Sequence, residues 1–239
     1  MKLHDFAALT FDCYGTLIDW EQGIVHELKP WTEKNGRTVG DDEILSAFSN
    51  LEPKHQAESP DKLYPDVLAA VFIDLGKRWD IPASEDEAVA FGKSIGRWPA
   101  FDDTAPSLQY LKHFYKLVIL SNVDRDSFAE SNKQLGVTFD GIITAQDVGS
   151  YKPDPRNFEY AIKTVAELGV AKERLLHCGQ SLFHDVAPGR AARLATMWVN
   201  RSKGKTSAAK EAVEPVTPDF EVANLAEFVN MHKAAIAID

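Results

Sequence analysis

The chain has 239 residues, 44% of them hydrophobic and 26% charged. That composition excludes disorder, collagen and fibrous repeats, and it suits one core domain of roughly 150 residues plus a smaller insertion. The 36 acidic and 26 basic residues leave a net charge of −10, the wrong sign for a nucleic-acid binder. No run nears the ~18 apolar residues of a membrane span. The N-terminus, MKLHDFAALTFD, does not read as a signal peptide, so a cytoplasmic protein without a membrane partner is expected. Cys13 and Cys178 are too few for a disulfide framework or a four-ligand zinc site, and read as buried free thiols.

In chain order, an apolar run at 7–11 ends at Asp12. The stretches 23–34, 41–51, 62–78 and 84–94 follow, all helix-like, with no strand between them. Acidic residues fill the first turn at 41–43, and Ser84 with Glu87 forms a capping-box pattern. After a helix over 104–114, the run KLVIL at 116–120 ends at Ser121-Asn122. A helix over 126–135 leads to GIIT at 141–144, with Asp147 just beyond. A helix over 157–168 leads to RLLHC at 174–178, ending at Gly179. A helix over 185–194, the run TMWV at 196–199 and a helix over 224–232 complete the order. The basic run at 201–210 reads as a solvated loop.

Apolar runs without polar alternation suit buried parallel strands. Strands alternating with helices predict an α/β fold, a Rossmann-like parallel sheet with right-handed crossovers. Residues 1–17 and 98–239 are expected to form this core, and 18–97 an inserted all-helical cap. Such sheets bind ligands beyond the C-terminal ends of their strands. Asp12, Ser121, Asn122, Asp147 and Gly179 all fall at those ends.

Asp12 opens a Gly-containing turn, FDCYGTL, whose backbone N–H groups can face an anion. A carboxylate there is ionised at neutral pH and can act as a nucleophile without a base. Ser121-Asn122 adds a hydroxyl and an amide. YKPDP places Lys152 before a helix, and GQSLFHD supplies a second carboxylate, Asp185.

These four segments, in this order, resemble the motifs of the haloacid dehalogenase superfamily over nearly the whole chain. The resemblance implies that Asp12 is the nucleophile, oriented by Thr16 and Lys152. Phosphatase members carry a second Asp two positions after the nucleophile, as a proton donor and Mg²⁺ neighbour. Here that position is Tyr14, and Gln180 replaces a usual fourth-motif Asp. A phenol is a poor acid at neutral pH, so the pattern resembles the 2-haloacid dehalogenase branch, where a halide leaves without protonation. Neither metal nor cofactor is expected.

The implied reaction converts a short 2-haloacid to a 2-hydroxy acid. Asp12 displaces halide to form an ester, which water then hydrolyses. Substrate, water and halide are the expected partners. By resemblance, Ser121 and the backbone N–H groups at Cys13 and Tyr14 hold the substrate carboxylate. Asn122 cradles halide, Asp185 positions or activates water, and Gln180, Ser181 and His184 complete the polar wall. Trp20 and Trp98, at the two expected hinges, are wall candidates with Phe48, Tyr64 and Phe101. Three positions depart from the family pattern: 44–51 lacks a halide-binding Arg, Leu182 stands where an Asn is usual, and Phe158 where a Tyr is usual. The departures leave open another C–X bond, such as that of a strained cyclic amino acid, and a Mg²⁺-dependent phosphatase stays as an alternative. The remaining histidines, His177 among them, read as structural. Dimers are common in such proteins, so a homodimer is possible, though no stripe identifies an interface.

Overall fold

A computed structural model describes residues 1–202 and 216–237. Six strands form one parallel sheet: β1 (Ala8–Phe11), β2 (Lys116–Ser121), β3 (Gly141–Thr144), β4 (Leu175–Gly179), β5 (Ala195–Val199) and β6 (Phe220–Val222). Their spatial order is β3-β2-β1-β4-β5-β6. The first strand is therefore central, with Phe11 paired to Ile119 on one side and Cys178 on the other.

Both faces of the sheet are covered. Leu117 and Ile119 of β2 enter one buried cluster, while Val118 and Leu120 enter the other. This two-sided burial explains why the strands read as unbroken apolar runs. Helix α8 (Pro155–Glu167) covers one face with Phe158, Ala161 and Val165. Helices α5 (Thr104–Leu111), α6 (Arg125–Asn132) and α10 (Leu225–Ile236) cover the other, through Leu108, Phe128 and Phe228. The short α7 (Ala145–Val148) and α9 (Ala187–Ala191) contact α8, and Gly189 of α9 lies against Thr196 and Phe158.

Between β1 and α5 lies the helical cap: α1 (Trp20–Lys34), α2 (Asp41–Glu58), α3 (Tyr64–Trp79), α4 (Glu85–Gly92) and a tight turn at Lys93–Arg97. The chain enters and leaves through adjacent crossings. Ile18 bridges Ala100, and the Asp19 amide donates to the Pro99 carbonyl at 2.8 Å.

Local chemistry sets the helix ends. The Asp19 carboxylate accepts from the Gln22 amide and starts α1 three residues earlier than its apolar spacing suggests. Ser84 and Glu87 close their capping box as expected. Helix α2 runs through Pro53 to Glu58, beyond the expected end at 51. A proline removes one helical hydrogen bond, but burial of Ile44, Ala47 and Phe48 before it and Gln56 after it carries the helix through. That continuation projects residues 49–53 toward the sheet.

The strand β6 was not expected, because three residues carry no readable period. Most of the basic run at 201–210 lies outside the described residues. Arg201 is described, and it is no solvated side chain. Its Nε and Nη2 donate to the Thr16 carbonyl at 2.9 and 2.7 Å, and its Nη1 donates to Asp103 at 2.7 Å. Its guanidinium lies 3.8 Å over the Phe101 ring.

Candidate active site

A cavity of about 460 Å³ lies where the ends of β1, β2 and β4 meet the cap. Asp12 leaves β1 into a turn that only glycine takes without strain, with Gly15 at φ +92°. The turn places the Thr16 hydroxyl back over Asp12, donating to Oδ2 at 2.8 Å. Thr16 Oγ1 in turn accepts from the Gln180 amide at 2.9 Å. The turn after β1 is thereby tied to the turn after β4.

Lys152 is 2% exposed, a burial that an ammonium tolerates only when paired. It donates to Asp12 Oδ1 at 2.9 Å and to Asp185 Oδ1 at 2.5 Å. Its backbone is gripped by Asn122, whose Oδ1 accepts from the Lys152 amide at 2.6 Å and whose Nδ2 donates to the Lys152 carbonyl at 3.0 Å. Asn122 lines the cavity, but its amide is engaged on Lys152. This gives it a positioning task where halide contact was expected.

Asp185 sits in a widened turn. Both its own amide and that of Val186 donate to the Ser181 carbonyl at 3.1 Å. Such widened turns gather at functional sites. Asp185 reaches over Gly179, where a Cβ would stand 2.4 Å from the carboxylate carbon. Its Oδ1 also meets His177 Nε2 at 3.2 Å, and its Oδ2 accepts from the Ser181 amide at 3.3 Å.

The charges of this cluster are set jointly. Burial raises the Asp12 carboxyl, with the Asp185 charge adding to it, against the pull of Lys152 and Thr16. Burial would raise Asp185 too, but Lys152 and His177 outweigh it and hold that carboxyl well below the usual range. Burial works against the Lys152 charge, yet the two carboxylates raise its pKa. Burial lowers His184 to about 4, so the imidazole lining the cavity is neutral at pH 7. Its Nδ1 lies 3.2 Å from Ser181 Oγ.

Ser121 Oγ is buried and has no hydrogen-bond partner among the described residues, and Ser121 lines the cavity. A buried hydroxyl left unanswered is costly unless a ligand or water completes it. Burial keeps Tyr14 a neutral phenol. Its hydroxyl meets Ser131 Oγ at 2.9 Å, while its ring stacks on Tyr64 and meets Trp98 edge-on.

The structure thus gathers Asp12, Tyr14, Trp20, Ser121, Asn122, Lys152, Gln180, Ser181, His184 and Asp185 around one cavity, with Thr16 bonded to Asp12 behind them. Phe48 and Tyr64 join as cap walls. Three expectations are corrected. Trp98 is 1% exposed and lies behind Tyr14, packed so closely on Gly23 that a Cβ there would sit 2.3 Å from its ring. Phe101 lies under Arg201, away from the cavity lining. Asp147 caps its own helix, accepting from Thr144 and from Arg125. The Cys13 side chain is fully buried and outside the lining.

Several residues escaped the sequence reading. Glu21, Ser46, Ser49, Asn50 and Glu52 line the cavity from the cap. His177, read as structural, lies buried on β4 with its Nε2 3.2 Å from Asp185 Oδ1. Among the described residues, no three His, Cys, Asp or Glu side chains gather in a metal-holding group. No helix there is long and apolar enough to cross a membrane.

Comparison with known proteins places the chain in a family. A family model for haloacid dehalogenase-like hydrolases matches residues 6–193. The chain is 25% identical to an (S)-2-haloacid dehalogenase of Pseudomonas putida over 242 residues, 95% of this chain and 97% of that protein. An L-2-haloacid dehalogenase from Xanthobacter autotrophicus with chloropropionic acid covalently bound superposes with a TM-score of 0.79 at 18% identity, covering 95% and 98% of the two chains. A putative hydrolase from Bacillus subtilis bound to magnesium superposes with a TM-score of 0.76 at 19% identity, covering 95% and 99%. Likeness at these identities establishes the fold shared by all three.

Proposed function

The chain belongs to the haloacid dehalogenase-like hydrolases, and from that membership we propose that it hydrolyses short 2-haloalkanoic acids to 2-hydroxy acids through an ester on Asp12. The observation that carries the reading is the Asp12 carboxylate itself. It faces a cavity with Oδ1 fixed by Lys152 and Oδ2 by Thr16. A carboxylate held this way is aimed for in-line attack on carbon, with its rotation already restricted.

Attack forms a C–O bond and releases halide with the carbon–halogen electron pair. Ser121 Oγ and the N–H groups at Cys13 and Tyr14 receive the substrate carboxylate. Water then adds to the Asp12 carbonyl carbon, Asp185 takes one of its protons, the alkoxide of the product leaves and collects that proton, and the second water proton, left on the Asp12 carboxyl, is released to solvent to restore the carboxylate. Because halide needs no acid, a tyrosine at position 14 and a glutamine at 180 fit this chemistry better than phosphate-ester cleavage. We place the cap at 18–97, between the paired crossings, where it excludes water from the displacement step.

A second substrate class draws support from the cap wall. Residues 44–51 bring no arginine to the cavity, and Glu21 and Glu52 line it instead. Carboxylates there suit a substrate that carries an ammonium beside its carboxylate, such as a strained cyclic amino acid opened at carbon by the same Asp12 attack.

The test is a panel assay on EDTA-treated protein. It includes both enantiomers of 2-chloropropionate, chloroacetate, fluoroacetate and a four-membered cyclic amino acid, with p-nitrophenyl phosphate plus Mg²⁺ alongside. Halide release lost in Asp12→Asn supports the first reading. Ring opening without halide release moves the substrate to the second. Phosphate release alone overturns both.

A further inference from the structure

Behind Asp185 lies a buried pair of side chains that the displacement step does not use. His177, on β4, is 1% exposed, and Thr10, on β1, is fully buried. His177 Nδ1 meets Thr10 Oγ1 at 2.9 Å and its Nε2 meets Asp185 Oδ1 at 3.2 Å. The Phe158 ring meets the imidazole edge-on, with centroids 5.1 Å apart. Two polar groups pointed into a sheet core cost stability unless they are satisfied. Apolar residues would fill this place at lower cost.

The geometry fixes what His177 offers. Asp185 is ionised, so it only accepts, and Nε2 must carry the proton between them. The Thr10 hydroxyl answers Nδ1 in either charge state of the ring, since a hydroxyl both donates and accepts. Asp185 Oδ1 is then taken by two donors, Lys152 and His177. Oδ2 accepts only the Ser181 amide, at 3.3 Å, and keeps a lone pair to meet a water in the cavity.

We propose that His177, backed by Thr10, is a positioning residue for the second half of the reaction: it holds the Asp185 carboxylate so that Oδ2 takes the proton of the water attacking the Asp12 ester. The inference rests on the displacement reading above. In that step the water oxygen bonds to the Asp12 carbonyl carbon, and its proton passes to Asp185. The ester C–O bond breaks toward the product oxygen, that oxygen collects the proton from Asp185, and the second water proton leaves the Asp12 carboxyl for solvent, restoring the carboxylate. His177 donates throughout and ends unchanged. Displacement of halide needs Asp12 and Lys152 but no proton transfer, so His177 has no part in it.

This separation gives a kinetic signature. When ester hydrolysis slows and ester formation does not, kcat and KM fall together and kcat/KM stays constant. His177→Phe keeps the bulk and the contact with Phe158 but loses the donor. With 2-chloropropionate, kcat is expected to fall by about 10²-fold, the lower range for lost acid–base assistance. KM should fall in parallel, and the ester on Asp12 should accumulate in intact-protein mass spectra. His177→Gln, which restores an N–H near the Nε2 position, should recover most of kcat. Thr10→Val removes only the outer contact and should show a smaller change of the same kind, so a poorly folded His177→Phe does not end the test.

If kcat/KM falls as far as kcat and no adduct builds up, His177 supports the whole site and the proposal is overturned. Unchanged kcat in His177→Phe overturns it as well. If wild-type protein releases halide from no substrate of the panel, the displacement reading itself has failed, and the present inference falls with it.

Discussion

The core and cap sides of the cavity are built by different rules. On the core side, the polar groups gather beyond the strand ends, and all but Ser121 Oγ are held by at least one neighbour. Lys152 joins Asp12 to Asp185, Thr16 joins Asp12 to the Gln180 amide, and Asn122 holds the Lys152 backbone. On the cap side, Ser46, Ser49, Asn50 and Glu52 project from one helix. Glu52 Oε1 accepts from Tyr64 and from Gln56. Under the proposed function, the core side would carry the reaction and the cap side the choice of substrate.

The comparison breaks first at Asp12. Asp12→Asn keeps the shape and removes the proposed nucleophile, so turnover should fall about 10⁴-fold or more. Circular dichroism should stay native. Residual halide release near the wild-type rate would remove Asp12 from the reaction.

Lys152→Met tests whether the core side is also structural. It leaves two buried carboxylates facing each other without a cation. Loss of one partner from a buried ionic cluster costs about 3–5 kcal/mol, readable as a lower denaturant midpoint. A midpoint matching wild type would show that the cluster reorganises or takes up protons at little cost.

Gly179→Ala places a methyl against Asp185. Moving that carboxylate should lower kcat roughly 10²-fold, because small misplacements are costly in catalysis. Stability should change less than in Lys152→Met.

Glu52→Gln probes the cap. The side chain keeps its size and loses its charge. Halide release from 2-chloropropionate should rise or hold, while any amine-bearing substrate should lose about tenfold in kcat/KM, as one charge-assisted contact of roughly 1.4 kcal/mol would. Equal effects on both substrates would deny the cap a role in selection.

The smallest effect is in pH. Burial and Asp185 raise Asp12, so the acid limb of kcat/KM should lie above the ordinary aspartate value of about 3.9. Activity needs the ionised form and is lost as pH falls through that raised value. Thr16→Val removes a donor to the carboxylate and should move the limb higher. A limb below 3.9 would assign it to Asp185 instead.

The same contrast explains what the sequence could and could not disclose. Asp12 and Ser121 were legible because apolar runs mark where a parallel strand ends, and Lys152 and Asp185 through the order of motifs that resembles the family. Glu52 and Ser49 were not, since a polar residue on a helix looks the same whether it faces solvent or a cavity. Their exposure to the site depends on α2 passing Pro53, where local rules favour a stop. Trp98 misled for a related reason. An aromatic at a hinge suggests a wall, but its burial is decided by Gly23, a partner distant in sequence. Arg201 was lost in a run of basic residues, and only its reach to Thr16 sets it apart.

The central place of β1 has a further consequence for how the chain is made. The strand that carries Asp12 leaves the ribosome with no neighbour to pair with. Its first partner spans residues 116–121 and its second 175–179. Cap helices lie between, rich in local contacts, and local contacts form early. The grip of Arg201 on the Thr16 carbonyl comes later still. A nascent chain halted before Arg201 should carry a structured cap beside a turn at Asp12 that still lacks this grip.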